Sequence, residues 1–383
     1  MNHIKTHRPT VAEIDLDNLA FNFNSARNFV GDKVKYMSVV KADAYGHGAI
    51  ACARRLESEG SDWFGVALPE EGVELREAGI RKLILCMGGF WPGQESMVLN
   101  YRLTPVVYQI DRAEALNRAA KERGTTAAIH VKVDTGMGRI GVRYDETVDF
   151  AGRIKKLEHL RIEGMMTHFA AADDLGENEF TSLQVSRFND AVQVFREHGH
   201  NPAYLDLANS PGAVAHPEVN GNMVRLGGVL YGLGGDVLPA GIEKPELRPV
   251  LSLKTRIAYL KKVPAGETVG YGRTYKADRD IKVATLPIGY QDGYNRLLSN
   301  KGSVIIRGKY APIIGRISMD WTIVDVSDVA GVEEGDEVIL IGSSDGISVT
   351  AEDIARTIGT ISYEVTCSVD RRVERVYKPA VIE

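Results

Sequence analysis

The run at 36–48, YMSVVKADAYGHG, places a lysine where its amine can do chemistry. The first half is apolar, with β-branched Val39 and Val40, the pattern of a buried parallel strand. Lys41 closes that run, ahead of a polar turn, Tyr45 and two glycines. An unpaired ammonium taken out of water costs several kcal/mol. A desolvated lysine therefore lowers its pKa, and the neutral amine can form an imine with an aldehyde. The plainer alternative is that Lys41 snorkels to solvent at the mouth of the strand.

Four later apolar runs also end in reactive or anion-binding groups. IHVKVDTGMGR ends in a glycine-rich turn and Arg139, and another run ends in Thr167 and His168. A third ends in Asn209 and Ser210, and a fourth in Arg225 with Gly227 and Gly228 directly after it. A hydroxyl at Ser210 and bare N–H groups at Gly227 and Gly228 make the kind of nest an anion prefers. A lysine, an anion cradle and an arginine in one mouth suggest pyridoxal 5′-phosphate held as a Schiff base. Each residue also has an ordinary role open to it. His168 can be a satisfied structural histidine, Arg139 and Arg225 can be salt-bridge partners, and two glycines can be only a turn. Lys132 shares a face with His130 and Asp134 and can pair with Asp134. His198 and His200 sit at a predicted helix end and read as surface residues rather than a metal pair.

Such a convergence needs elements that bring strand ends together. Apolar strands predicted at 34–41, 63–68, 82–87, 104–108, 127–134, 161–168, 203–208 and 223–226 alternate with helical patterns at 49–59, 70–78, 111–123, 146–156 and 182–198. In the last helix Leu183, Phe188, Val192 and Phe195 have the spacing of one buried face. Eight strands alternating with helices point to a closed (β/α)₈ barrel of the TIM type, whose chemistry sits at the C-terminal strand ends. A doubly wound open sheet lacks its fingerprint here, since no GxGxxG follows a strand. After a glycine- and proline-rich linker near 231–249 come short β-patterned runs and one brief helical pattern at 350–358. The expected division is a barrel over 1–245 and a mostly-β C-terminal domain over 246–383. The barrel counts eight strands without the one at 10–16, so residues 1–16 are expected to pair with the β domain.

Composition narrows the function classes. The chain has 383 residues, 25% charged and 44% hydrophobic, with a net charge of −5, so it carries no electrostatic footprint for nucleic acid. The first residues lack the apolar core of a signal peptide, and no run approaches a membrane span. Three distant cysteines form neither a disulfide framework nor a metal motif. A cytoplasmic protein without a metal site is expected.

The motifs VVKADAYGHG, HVKVDTGMGRIG, MMTHFAAAD, ANSPG, VRLGGVLYGL, VGYGRTY, IGYQDGY, GRISMD and ISYEV resemble, in order, those of the alanine racemases. The resemblance spans nearly the whole chain. It implies a fold-type III enzyme that uses pyridoxal 5′-phosphate and a homodimer with shared active sites. The implied activity is interconversion of L- and D-alanine, supplying D-alanine for peptidoglycan of the cell wall. Position by position, Lys41 resembles the Schiff-base lysine, and Tyr271 the second base, reaching in from the other subunit. Tyr45, Ser210, Gly227, Gly228 and Tyr363 match the phosphate site, Arg225 an arginine facing the pyridine nitrogen, and His168 a bridge from that arginine to the tyrosine. Arg139, Met319, Asp320 and Tyr290 match substrate-binding and entrance positions, with Asp173, Arg296 and Arg316 also at the entrance. Lys132 matches a lysine carbamylated in many members. Gly228 stands where a branched residue is usual, Gln291 replaces a small residue, and Ser318 an often-seen cysteine. A serine or broad-specificity amino-acid racemase is the alternative. A non-catalytic cofactor-binding barrel would lack the β domain and its tyrosine, and a Schiff-base aldolase has no use for Tyr271.

Overall fold

The computed structural model of the chain describes residues 8–219 and 221–380. The chain divides into two compact units. One holds Leu19–Ala44 and Ala49–Arg248; the other holds the chain up to Asn18, Tyr45–Gly48 and Pro249 onwards.

Strand β1 (Val11–Asp15) and helix α1 (Leu16–Val30) precede the barrel strands. These are β2 (Lys35–Val39), β3 (Trp63–Val66), β4 (Leu83–Cys86), β5 (Thr104–Val107), β6 (Ala127–Asp134), β7 (Leu160–Met166), β8 (Tyr204–Ala208) and β9 (Met223–Leu226). They pair in parallel in the order β5-β4-β3-β2-β9-β8-β7-β6, and β5 also pairs with β6, which closes the ring. Helices α2 (Ala49–Ser58), α3 (Pro69–Glu77), α4 (Glu95–Asn100), α5 (Ile110–Glu122), α6 (Thr147–Ile154), α7 (Asn178–Glu197) and α8 (Ser210–Ala215) alternate with the strands. The (β/α)₈ expectation holds. Inside the ring Met37, Trp63, Leu85, Val106, Met166 and Met223 form one fully buried cluster. Each such side chain contributes roughly 1.5–3 kcal/mol by leaving water, so the lower barrel is a packed core rather than a pore.

Two details differ from the sequence reading. Leu183 is exposed, and the inward place on α7 goes to Gln184, with Phe188, Ala191, Val192 and Phe195. Gln184 tolerates full burial because its amide is used: Nε2 donates to Thr135 Oγ1 and His168 O, and Oε1 accepts from Ala170 N–H. Lys41 does not close its strand, which ends at Val39.

In the second unit, β10 (Leu251–Arg256), β11 (Glu337–Ser344) and β12 (Glu374–Lys378) belong to a seven-stranded sheet. β1 lies in it, antiparallel to β10 and parallel to β12. Residues 1–7 of the segment expected to pair there lie outside the described residues. A three-stranded sheet of Tyr259–Val263, Ile281–Leu286 and Thr322–Asp325 completes the main β structure. Besides α9 (Ala351–Ile358) there is a second helix, α10 (Ser362–Cys367). Six residues are too few for a readable period, so sequence pattern registers only α9. No helix among the described residues is long and apolar enough to cross a membrane.

Candidate active site

The groups picked out in the barrel unit gather at the C-terminal ends of its strands. Lys41 opens a turn of unusual hand: Ala42, Asp43, Ala44 and Tyr45 all have φ between 53° and 55°. Left-handed helical conformation costs a residue with a Cβ about 1–2 kcal/mol, so four in succession store several kcal/mol. Backbone strain of this kind persists where the surroundings over-determine it, typically at functional sites. Side-chain bonds within this unit help to hold the turn. Glu71 on α3 accepts from Ala42 N–H at 2.7 Å, and its other oxygen from Ala67 N–H at 2.7 Å. Asp43 accepts from Ala49 N–H at 2.8 Å.

Alternate residues of β6 carry His130, Lys132 and Asp134. Asp134 accepts from the amides of Gly136 and Gly138, shaping the turn that leads to exposed Arg139. Lys132 is buried and, among the described residues, makes no ion pair with Asp134 or any other acid. Burial, then the charges of Arg225 and Arg139, push its amine down to about 7, with Asp206 pulling the other way. The His130 ring packs against the rings of Trp63 and Tyr204, which also touch each other, and among the described residues neither of its nitrogens has a partner.

His168 follows β7, held by the Gln184 bonds described above. Its Nδ1 lies 3.2 Å from Arg225 Nη2 on β9, and Arg225 Nη1 donates to the buried Asp206 carboxylate on β8. Burial, reinforced by Arg225, Lys132, Arg139 and Lys41, pushes His168 down to about 2, so the ring is neutral. Asn209 caps α8 by accepting from Gly212 N–H, and Pro211 stands in the first turn, which is why NSPG starts a helix. Ser210 Oγ accepts from Gly227 N–H at 2.8 Å. The expected bare amide at Gly227 is thus engaged, because Ser210, in the first turn of α8, places its hydroxyl against it.

The second unit presents the other candidates. The Tyr45 and Tyr363 rings lie 5.4 Å apart. Tyr271 is 72% exposed, between Gly270 and Gly272 at φ 75° and 69°. It borders an open hollow of about 630 Å³ with Tyr259, Arg316, Ser318 and Trp321. Met319 and Tyr290 are exposed on two segments beside it, which the Tyr290 N–H to Ser318 O and Gln291 N–H to Met319 O bonds join. Asp320 is anchored by Arg372, which also binds buried Asp292, itself clasped by Arg8.

The alanine racemase N-terminal domain model matches residues 14–234, and the C-terminal domain model matches 250–377. The chain belongs to the alanine racemase family. The curated alanine racemase of Halothermothrix orenii is 45% identical over 97% of both chains. The solved alanine racemase of Clostridium difficile superposes with a TM-score of 0.91 at 38% identity, covering 99% of this chain and 98% of the other. That of Bartonella henselae, which carries covalently bound pyridoxal phosphate, has a TM-score of 0.86 at 28% identity, covering 96% and 99%.

The barrel residues fit the family's cofactor. Lys41, Lys132, Arg139 and Arg225 all act electrostatically on His168, whereas Asp206 is the acid that acts on Lys132. An excess of cations beside a lysine amine suits an aldehyde bearing a phosphate. Three alanine racemase site features escape sequence reasoning. The left-handed turn has no glycine among Ala42–Tyr45 to signal it. Gln184 is not among the residues whose spacing marks the buried face of its helix. Asp206 lies in a run read only as apolar, although one acid in a buried strand is itself a signal.

Proposed function

We propose that this chain is a cytoplasmic homodimer that interconverts L- and D-alanine with pyridoxal 5′-phosphate and supplies D-alanine for peptidoglycan. The observation that carries the reading is the cluster at one barrel mouth: the strained Lys41 turn together with neutral His168 bonded to Arg225. Ser210, the Gly228 amide and the hydroxyls of Tyr45 and Tyr363 bind the phosphate, with Gly227 holding Ser210 in place. Bound there, the cofactor acidifies the α-C–H of an amino acid by delocalising the charge left behind.

Racemisation takes a proton from one face and returns one to the other, and one base cannot reach both. The Lys41 amine serves one face. Tyr271 of a second copy serves the other; its exposure in one copy is what such a reach requires. A free phenol titrates near 10, so Tyr271 needs a partner that favours phenolate. His168, donating from Nε2 and backed by Arg225, is that partner. Arg225 keeps its proton, so a cofactor ring nitrogen held against it would stay unprotonated, which would weaken the electron sink and suppress transamination. Arg139, the Met319 N–H and Asp320 bind the substrate carboxylate, and Tyr290 narrows the entrance. Lys132, as a carbamate, holds Arg139. The exposed patch of Tyr259, Tyr271, Tyr290, Met319 and Trp321 supports the homodimer, because large apolar surfaces of this kind mark interfaces.

The test is to incubate purified protein with single L-amino acids and assay the D-enantiomers chirally. D-alanine formation is expected, with a visible absorption band that borohydride abolishes. Absence of the band, or a preference for serine, overturns the reading.

A further inference from the structure

The barrel mouth holds one buried carboxylate among its cations. Asp206 on β8 is fully buried and is flanked by Met166 of β7 and Met223 of β9 in the sheet. Its Oδ1 and its main-chain oxygen both accept from Arg225 Nη1. Arg225 Nη2 donates to Leu207 O at 3.1 Å and lies 3.2 Å from His168 Nδ1. All four Nη hydrogens are thereby used, and only Nε–H lacks a partner among the described residues.

A guanidinium has donors and no acceptor, and it does not lose its proton. An imidazole facing it through Nδ1 must therefore accept there and carry its own proton on Nε2. Two carbonyls and a carboxylate on one side set the plane of the guanidinium, and the plane sets where the last Nη2 hydrogen points. Of these three acceptors the carboxylate alone is charged, and a charge-assisted bond is about twice as strong as a neutral one.

We propose that Asp206 is a positioning residue that orients the Arg225 guanidinium and so fixes His168 as its Nε2–H tautomer. The tautomer follows from the unloaded protein alone; its consequence for catalysis rests on the racemase reading. With Nε2–H presented to the mouth, His168 is a donor to the Tyr271 oxygen and stabilises its phenolate. With the other tautomer it presents a lone pair and does the opposite.

The experiment uses the full chain, without cofactor, labelled with ¹⁵N-histidine at pH 8, where Asp206, held up at about 6 by burial against the pull of Arg225, is ionised. Long-range ¹⁵N–¹H spectra report which ring nitrogen bears the proton, and a His168→Gln variant assigns the signal among the nine histidines. In the unsubstituted protein His168 should show an unprotonated Nδ1 and a protonated Nε2. In Asp206→Ala both signals should move towards a tautomer average, and in Asp206→Asn part of the way. An unchanged His168 pattern in a folded Asp206→Ala overturns the proposal. If Asp206→Ala does not fold, an unchanged pattern in Asp206→Asn overturns it instead. In the loaded enzyme, α-proton exchange from L-alanine should fall about 10- to 100-fold in Asp206→Asn, the size of loss seen when the partner that orients a metal-binding histidine is removed, and exchange from D-alanine much less. A tautomer shift with equal losses from both enantiomers leaves Asp206 in its role and removes Tyr271 from the reading.

Discussion

Lys132 should be a carbon dioxide acceptor, and its surroundings set the size of the effect. It is 5% exposed, and burial with the Arg225, Arg139 and Lys41 charges outweighs Asp206 to bring its amine to about 7. Roughly half the amine is then neutral at pH 7, against roughly one part in 2,500 for an ordinary lysine near 10.4. The depression means that the fold penalises the protonated form, by roughly 5 kcal/mol at about 1.4 kcal/mol per unit. That penalty is absent above the ordinary lysine pKa and fully present once pH falls below about 7. Addition of CO₂ to the neutral amine forms an N–C bond, releases one proton from the nitrogen and leaves an anion among the Arg225, Arg139 and Lys41 charges. Protein equilibrated with ¹³C-bicarbonate at pH 8 should show one carbamate carbon that Lys132→Gln lacks. The neutral fraction falls from roughly 0.9 at pH 8 to roughly 0.09 at pH 6. With dissolved CO₂ held constant at a level that leaves the site well below saturation at pH 8, the signal should therefore drop at least about tenfold. No carbamate at pH 8, or an equal signal in Lys132→Gln, refutes the reasoning.

Three further outcomes are expected. His130, fully buried with both ring nitrogens unpartnered, is pushed down to about 3 by burial alone, so its neutral form stabilises the fold above pH 6.5 and that contribution is lost between 6.5 and 3. Urea unfolding at pH 5 rather than 7 should cost the parent protein about 2 kcal/mol that His130→Leu does not lose; identical pH slopes would count against it. Gly46→Ala should destabilise by roughly 3–5 kcal/mol, since a Cβ at φ +85° would meet Thr366 O at 2.2 Å. Gly31→Ala, at φ +96° with nothing within 4 Å, should lose only about 1–2 kcal/mol, and similar urea midpoints for the two would refute the steric argument. Tyr271→Phe should slow α-deuterium exchange from L-alanine far more than from D-alanine, and an equal loss would sink the two-base assignment.

The barrel was legible because strand period, strand count and helical period all agreed. The strand ends were legible for the same reason, since Lys41, His168, Ser210 and Arg225 each break an apolar run. What stayed hidden depends on long-range packing. The left-handed turn is held by Glu71, 29 residues from Ala42. Asp206 finds its purpose only when β9 brings Arg225 alongside. The engaged Gly227 amide follows from Ser210 folding back across 17 residues. Leu183 and Gln184 show a local limit of another kind: hydrophobic spacing cannot tell which face wins when an amide has three partners waiting.

Active sites shared between two copies can be measured by subunit complementation. Lys41→Ala and Tyr271→Phe homodimers should each be nearly inactive in converting L- to D-alanine. In a hybrid dimer one site carries both lesions and the other carries none. Co-expression of the two variants, with random pairing in a symmetric dimer, should therefore restore about a quarter of the parent activity. No recovery in hybrids verified by mass would contradict the claim that Lys41 of one copy works with Tyr271 of another.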